Sequence, residues 1–167
     1  KEECLRPIVV IAAALSIQDV RERPLDKEAQ ADQAHRRFID PLSDFITILN
    51  IWNALHQAAD RPRSMNALRK FCKRHYLSFK RIREWRDIHR QITAVLKEQQ
   101  FDMARSDALT VGGLPAGNQD ENGAFHPLYA AIHRAILSGF LSNIAMRKEK
   151  VFYRAAKQRE VMLFPGS

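Results

Sequence analysis

Apolar side chains recur at helical spacing along most of this chain, in blocks separated by proline, glycine and charge. The run from Ile8 to Leu15 is apolar all round, which predicts a short helix buried on most sides. Pro24, among Arg21, Glu22 and Arg23, marks a turn. Asp26 is placed to cap a second helix from Lys27 to Phe38. Pro41 breaks the chain, and Ser43 or Asp44 opens a third helix. Its apolar face is Phe45, Ile48, Leu49, Trp52 and Leu55. Residues Asp60 to Arg63 read as a linker, and Ser64 as the N-cap of a helix from Met65 to Arg74. Tyr76 or Ser78 leads into the clearest helix, ending near Glu98, with a stripe of Ile82, Trp85, Ile88, Ile92, Val95 and Leu96. Ser106 to Gly123, rich in glycine and proline, reads as a long loop. Pro127 then suits the first turn of a last helix, with Leu128, Ile132, Ala135, Ile136, Phe140 and Ile144 as its buried face.

After Met146 the period changes from helix to strand. Lys150–Arg154 and Glu160–Phe164 predict a hairpin turning near Ala156–Gln158. A lone hairpin is marginal in water, so this one belongs to a larger sheet. The expected fold class is mainly α, a helical bundle over residues 1–146 followed by a short β-hairpin over 147–167. Trp52, Trp85, Ile88 and Phe140 are expected in the core. The chain opens on Lys1-Glu2-Glu3 rather than Met and stops just after a strand, which reads as a piece of a longer protein.

Charge adds the next constraint. A net charge of +8 and an isoelectric point near 9.9 favour a polyanionic partner, nucleic acid or an anionic membrane surface. The early apolar run is too short to span a bilayer and lacks a small-residue cleavage site. Cys4 and Cys72 lie far apart and are expected reduced and buried, as in a cytoplasmic protein.

Most catalytic chemistry is missing from the pattern. No phosphate-binding Gly-x-x-x-x-Gly-Lys-Ser/Thr loop and no Asp-Glu-x-His box occur. The six histidines show no zinc spacing, and Cys72 with His75 lacks an orienting group and an oxyanion hole. Glu84 and Asp87 sit among arginines, where ion pairs along the helix account for them. No catalytic residue, metal or small-molecule substrate is therefore assigned.

The informative feature lies between Lys70 and Arg90, where eight cations face two carboxylates and so hold a net six of the chain's eight positive charges. A face of this kind lies along a phosphate backbone and gains affinity by releasing counterions. Rings at His75, Tyr76 and Phe79 stand beside the charge, a mixture suited to single strands. The candidate nucleic-acid contacts are Lys73, Arg74, Lys80, Arg81, Arg83, Arg86 and Arg90. The plain alternative is a solvated helix face.

Read in order, four blocks resemble the region after the winged helix in DEAH-box RNA helicases, especially those of the bacterial HrpA type. The first is Ala12–Asp19 with Arg23–Lys27. The second is Ala31–Phe38 with Ser43–Phe45 and Leu49–Trp52. The third is Phe71-Cys72, Tyr76-Leu77 and Arg81–Ile92, and the last is Leu137–Ile144, Tyr153 and Phe164–Ser167. The resemblance implies a ratchet-like, helicase-associated bundle followed by the first hairpin of a truncated OB-fold. It further implies an accessory region of an ATP-dependent 3′-to-5′ RNA helicase, forming one wall of the single-stranded RNA channel. Its implied partners are that RNA and the helicase's own motor, winged-helix and OB domains. ATP and Mg would belong to the motor domains, so the chain itself is expected to be no enzyme. A rival reading makes the region a docking module for those domains or another factor, without RNA contact. His75-Tyr76 stands where Asn-Phe is usual in eukaryotic relatives, Ser43-Asp44-Phe45 where Gly-Asp-His is usual, and Lys80 where Arg is usual. Lys80 keeps the charge without the bidentate fork.

Overall fold

A computed structural model describes residues 3–56, 64–101 and 126–163. Among these residues six helices, α1 (Leu5–Leu15), α2 (Glu28–His35), α3 (Asp44–His56), α4 (Met65–Arg74), α5 (Phe79–Glu98) and α6 (Pro127–Gly139), precede three strands. The strands are β1 (Ala145–Glu149), β2 (Phe152–Ala155) and β3 (Glu160–Met162).

Helix α1 is central because it offers apolar side chains in nearly every direction. Pro7, Val9, Val10, Ile11 and Ala13 are buried, and the helix packs against α3, α5 and α6. Helix α5 presents Ile82 and Trp85 to it, both fully buried. The Trp85 indole N–H donates to the Val10 carbonyl at 2.9 Å, so this large ring enters the core with its polar atom satisfied. Helix α3 buries Ile46, Thr47, Leu49, Ile51, Ala54 and Leu55, a wider arc than the expected stripe. Trp52 and Ile88 are only partly buried, at the edge of the core rather than inside it. Cys4 and Cys72 are both buried and free. Burial and the nearby Glu22 charge push the Cys72 thiol up to about 11, so it is not an activated nucleophile.

Several caps form as their residue types dictate. Ser64 Oγ accepts from the Ala67 N–H at 3.1 Å. Ser43 Oγ accepts from Ile46 and donates to His133 Nε2 at 2.7 Å, while His133 Nδ1 donates to the Tyr129 carbonyl. This chain of hydrogen bonds ties α6 to the start of α3. Asp26 does not cap α2: a 3₁₀ turn over Leu25–Lys27 absorbs it, and the helix ends at His35 instead of Phe38.

One junction binds the N-terminal half to the α4–α5 turn. The Glu22 N–H donates to the Tyr76 carbonyl at 2.8 Å, and Ser78 N–H to that of Val20 at 2.7 Å. Tyr76 adopts a left-handed φ of 51°, which an ordinary side chain takes only when its surroundings enforce it. The enforcement is visible: its carbonyl also accepts from His35 Nε2, and its hydroxyl donates to Gln30.

The final segment departs furthest from expectation. Helix α6 stops at Gly139 and a 3₁₀ turn over Leu141–Asn143 redirects the chain. Phe140 and Ile144 are therefore about half exposed, at 48% and 50%, and Phe140 is not a core residue. The sheet has three antiparallel strands in the order β1-β2-β3, one more than the expected hairpin. The extra strand, Ala145–Glu149, pairs Arg147 with Tyr153 and shifts register before Glu149. No strand residue is buried. The expected linker at 60–63, the loop at 106–123 and the last residues, 164–167, lie outside the described residues.

Candidate nucleic-acid interface

Helix α5 is 20 residues long and carries two different basic faces. Arg83, Arg86, Arg90 and Lys97 follow one another at steps of three, four and seven, which keeps them on one side of the helix. All four line a cleft of about 950 Å³ between α5, α3 and the start of α1. Arg6 from α1 lines it as well. One carboxylate stands among them, Asp87, and Arg90 holds it at 2.8 Å. Arg83, Arg86 and Lys97 make no ion pair with any described residue. Their charge is available to an external anion.

Rings line the same cleft. Trp52 lies 4.4 Å from His56 and 4.5 Å from His89, centre to centre, and 4.9 Å from the buried Trp85. The spacing of Trp52 and His56 on α3, and of Trp85 and His89 on α5, is one helical turn in each case. His56 Nδ1 donates to the Trp52 carbonyl at 2.8 Å, which fixes the imidazole over the indole. Burial, and then the neighbouring His56, hold the His89 pKa below its ordinary value, so its ring is neutral at physiological pH. The hydroxyl of Thr93, also on the cleft wall, is buried with no hydrogen-bond partner among the described residues.

The remaining candidate cations are placed elsewhere. Arg81 points away from the cleft, donating to the Asp19 carbonyl at 2.8 Å and to Gln18 at 2.9 Å. Lys80 is exposed next to it, and Lys73 and Arg74 are exposed at the end of α4. The structure thus brings together Arg83, Arg86 and Arg90 of the seven, and separates the other four. His75 is buried between Phe38 and Phe71, so it belongs to the core. Arg6, Lys97, Trp52, His56, His89 and Thr93 are cleft residues the sequence reading did not select. The continuing three-and-four spacing from Arg83 through Lys97 was the available signal for Lys97 and Thr93.

No group of three or more metal-ligating side chains occurs among the described residues. Among the same residues, no helix is long and apolar enough to cross a membrane.

Comparison with known proteins identifies the relatives. Residues 1–48 match the family described as helicase associated domain (HA2), ratchet-like. The whole chain is 39% identical to part of the ATP-dependent RNA helicase HrpA of Escherichia coli strain K12, covering 11% of that protein. Over 98% of its length it is 37% identical to the HrpA homolog of Haemophilus influenzae, again covering 11% of the relative. Over 86% of its length it is 23% identical to the pre-mRNA-splicing factor ATP-dependent RNA helicase prp22 of Schizosaccharomyces pombe, covering 10%. The chain therefore spans about a tenth of the length of the curated relatives it matches.

Proposed function

We propose that this chain, which belongs to the C-terminal helicase-associated region of HrpA-type DEAH-box proteins, holds single-stranded RNA for an ATP-dependent helicase. The observation that carries this reading is the row Arg83, Arg86, Arg90 and Lys97 along one cleft, with Asp87 the only carboxylate lining it among the described residues. A row of this length can follow successive phosphates, and its affinity comes largely from counterion release. The chain supplies grip, while ATP binding and hydrolysis belong to motor domains of the parent protein.

A second role is favoured by the sheet. Met146, Val151, Phe152, Met162 and Leu163 are all exposed on it or beside it. Side chains of this kind pack against another surface, and the helicase's own domains are the partners this reading gives them. The two roles use different segments of the chain.

Ultraviolet crosslinking of a single-stranded RNA to the protein, with mass spectrometric mapping, tests the reading. Crosslinks on α3 and α5 around Trp52, His56 and His89 are expected. Crosslinks confined to residues 145–163 would move the RNA surface to the sheet and overturn it.

A further inference from the structure

We propose that the cleft seats one nucleotide unit of the strand, with its base against the Trp52, His56 and His89 rings and its phosphate on the arginine row. The inference rests on the RNA reading above and adds to it a base-gripping step that backbone contact alone does not contain.

Three observations carry it. The cleft volume of about 950 Å³ lies within the size range of sites that enclose small ligands, and exceeds what a bare phosphate needs. Its lining has two parts. The rings, packed 4.4 to 4.5 Å apart, are Trp52 and His56 of α3 with His89 of α5, and the cations stand on successive turns of α5 beside Arg6 of α1. A nucleotide has the same two-part character, a flat π surface joined to an anion, and unpaired bases stack on aromatic and imidazole rings regardless of sequence. Finally, the Thr93 hydroxyl is buried at the cleft wall without a partner among the described residues. Buried polar atoms are nearly always satisfied, and a rotation of the side chain that brought this hydroxyl to the cleft surface would let a base edge or ribose hydroxyl complete it.

The neutral state of His89 fits this arrangement. Burial opposes its protonation, so it offers a ring face beside Trp52 rather than a third kind of positive charge. His56 is exposed at the rim, where a base would enter. Duplex RNA keeps its base faces covered, so the seat selects single strands or frayed ends.

The chain's own fluorescence reports on the site, because its two tryptophans, Trp52 and Trp85, both lie in the ring cluster. The experiment titrates the protein with an oligoadenylate, an abasic oligonucleotide of the same length, adenosine monophosphate and a polyglutamate peptide. The oligoadenylate is expected to quench the emission. The abasic strand is expected to bind several-fold more weakly without quenching, and His56→Ala to bring the oligoadenylate down toward the abasic affinity. Quenching by adenosine monophosphate at lower concentration than by the strand would assign the seat to a free nucleotide and overturn the strand assignment. Equal binding of intact and abasic strands, without quenching, would overturn the seat while leaving RNA binding intact. Binding of neither strand would remove the RNA reading itself, and the seat with it. Polyglutamate quenching as strongly as the oligoadenylate would assign the cleft to an acidic peptide and overturn the proposal. The abasic comparison needs no variant, so a His56→Ala protein that failed to fold would not blunt the test.

Discussion

Two basic regions of this molecule carry the same residue types and use them differently. At the junction of the N-terminal segment with the α4–α5 turn, Arg21, Arg23 and Arg81 are committed internally. Arg21 forks onto Asp19 at 2.6 to 3.1 Å, Arg23 grips Asp32 and Glu28, and Arg81 holds the Asp19 carbonyl. Burial pushes the Asp19 carboxyl up, and the Arg21 hydrogen bonds outweigh it, leaving Asp19 below the usual carboxylate range. In the cleft, Arg83, Arg86 and Lys97 meet no carboxylate among the described residues. The lesson is that a count of 27 basic side chains overstates the cations offered to a partner. Arginines already hydrogen-bonded at a junction stabilise it, and only unneutralised ones project a field.

The fully buried Trp85 packs under the ring cluster of the cleft, and its loss has the largest effect. Trp85→Ala should cost roughly 3–5 kcal/mol, the range for truncating a buried aromatic, and should also break the Val10 hydrogen bond. Denaturant unfolding would show it as a lower midpoint. Next comes the cleft. Arg83→Gln, Arg86→Gln and Arg90→Gln together should weaken single-stranded RNA binding by roughly tenfold or more near 0.1 M salt. The same triple should change stability by only about 0.5 kcal/mol, since the side chains are exposed. Arg81→Gln should do the reverse, lowering stability by about 1 kcal/mol while RNA affinity stays near wild type. The smallest effect concerns pH. His89 has a lowered pKa in the folded protein, so its contribution is fully present above its unfolded pKa near 6.5 and is lost as pH falls through the folded value. The melting temperature should therefore drop between pH 7.5 and 5.5, and His89→Gln should flatten that drop.

Much of this contrast was legible in the sequence, and part was not. Periodicity located α1, α3, α4, α5 and α6, because an apolar stripe at helical spacing has few alternative uses. It misjudged Phe140, since helical phase carries no information once Gly139 ends the helix. It missed β1, whose residues Ala145-Met146-Arg147-Lys148-Glu149 are poor in strand formers and gain their structure from pairing with β2. The cation cluster was visible as a density of charge along the chain. Its division was not, because the contact that engages Arg81 joins residues 62 apart in sequence. The ring wall was hidden for the same reason: Trp52 and His89 meet only when α3 packs beside α5.

The most direct test of the central claim is the salt dependence of RNA affinity in two triple variants. One carries Arg83→Gln, Arg86→Gln and Arg90→Gln, the other Arg21→Gln, Arg23→Gln and Arg81→Gln, both measured at a temperature where circular dichroism shows them folded. The account predicts that the cleft triple loses about 2 from the slope of log K against log salt, at about 0.7 per phosphate contact, while the junction triple keeps the wild-type slope. A wild-type slope in the cleft triple, with the loss appearing in the junction triple, would contradict it.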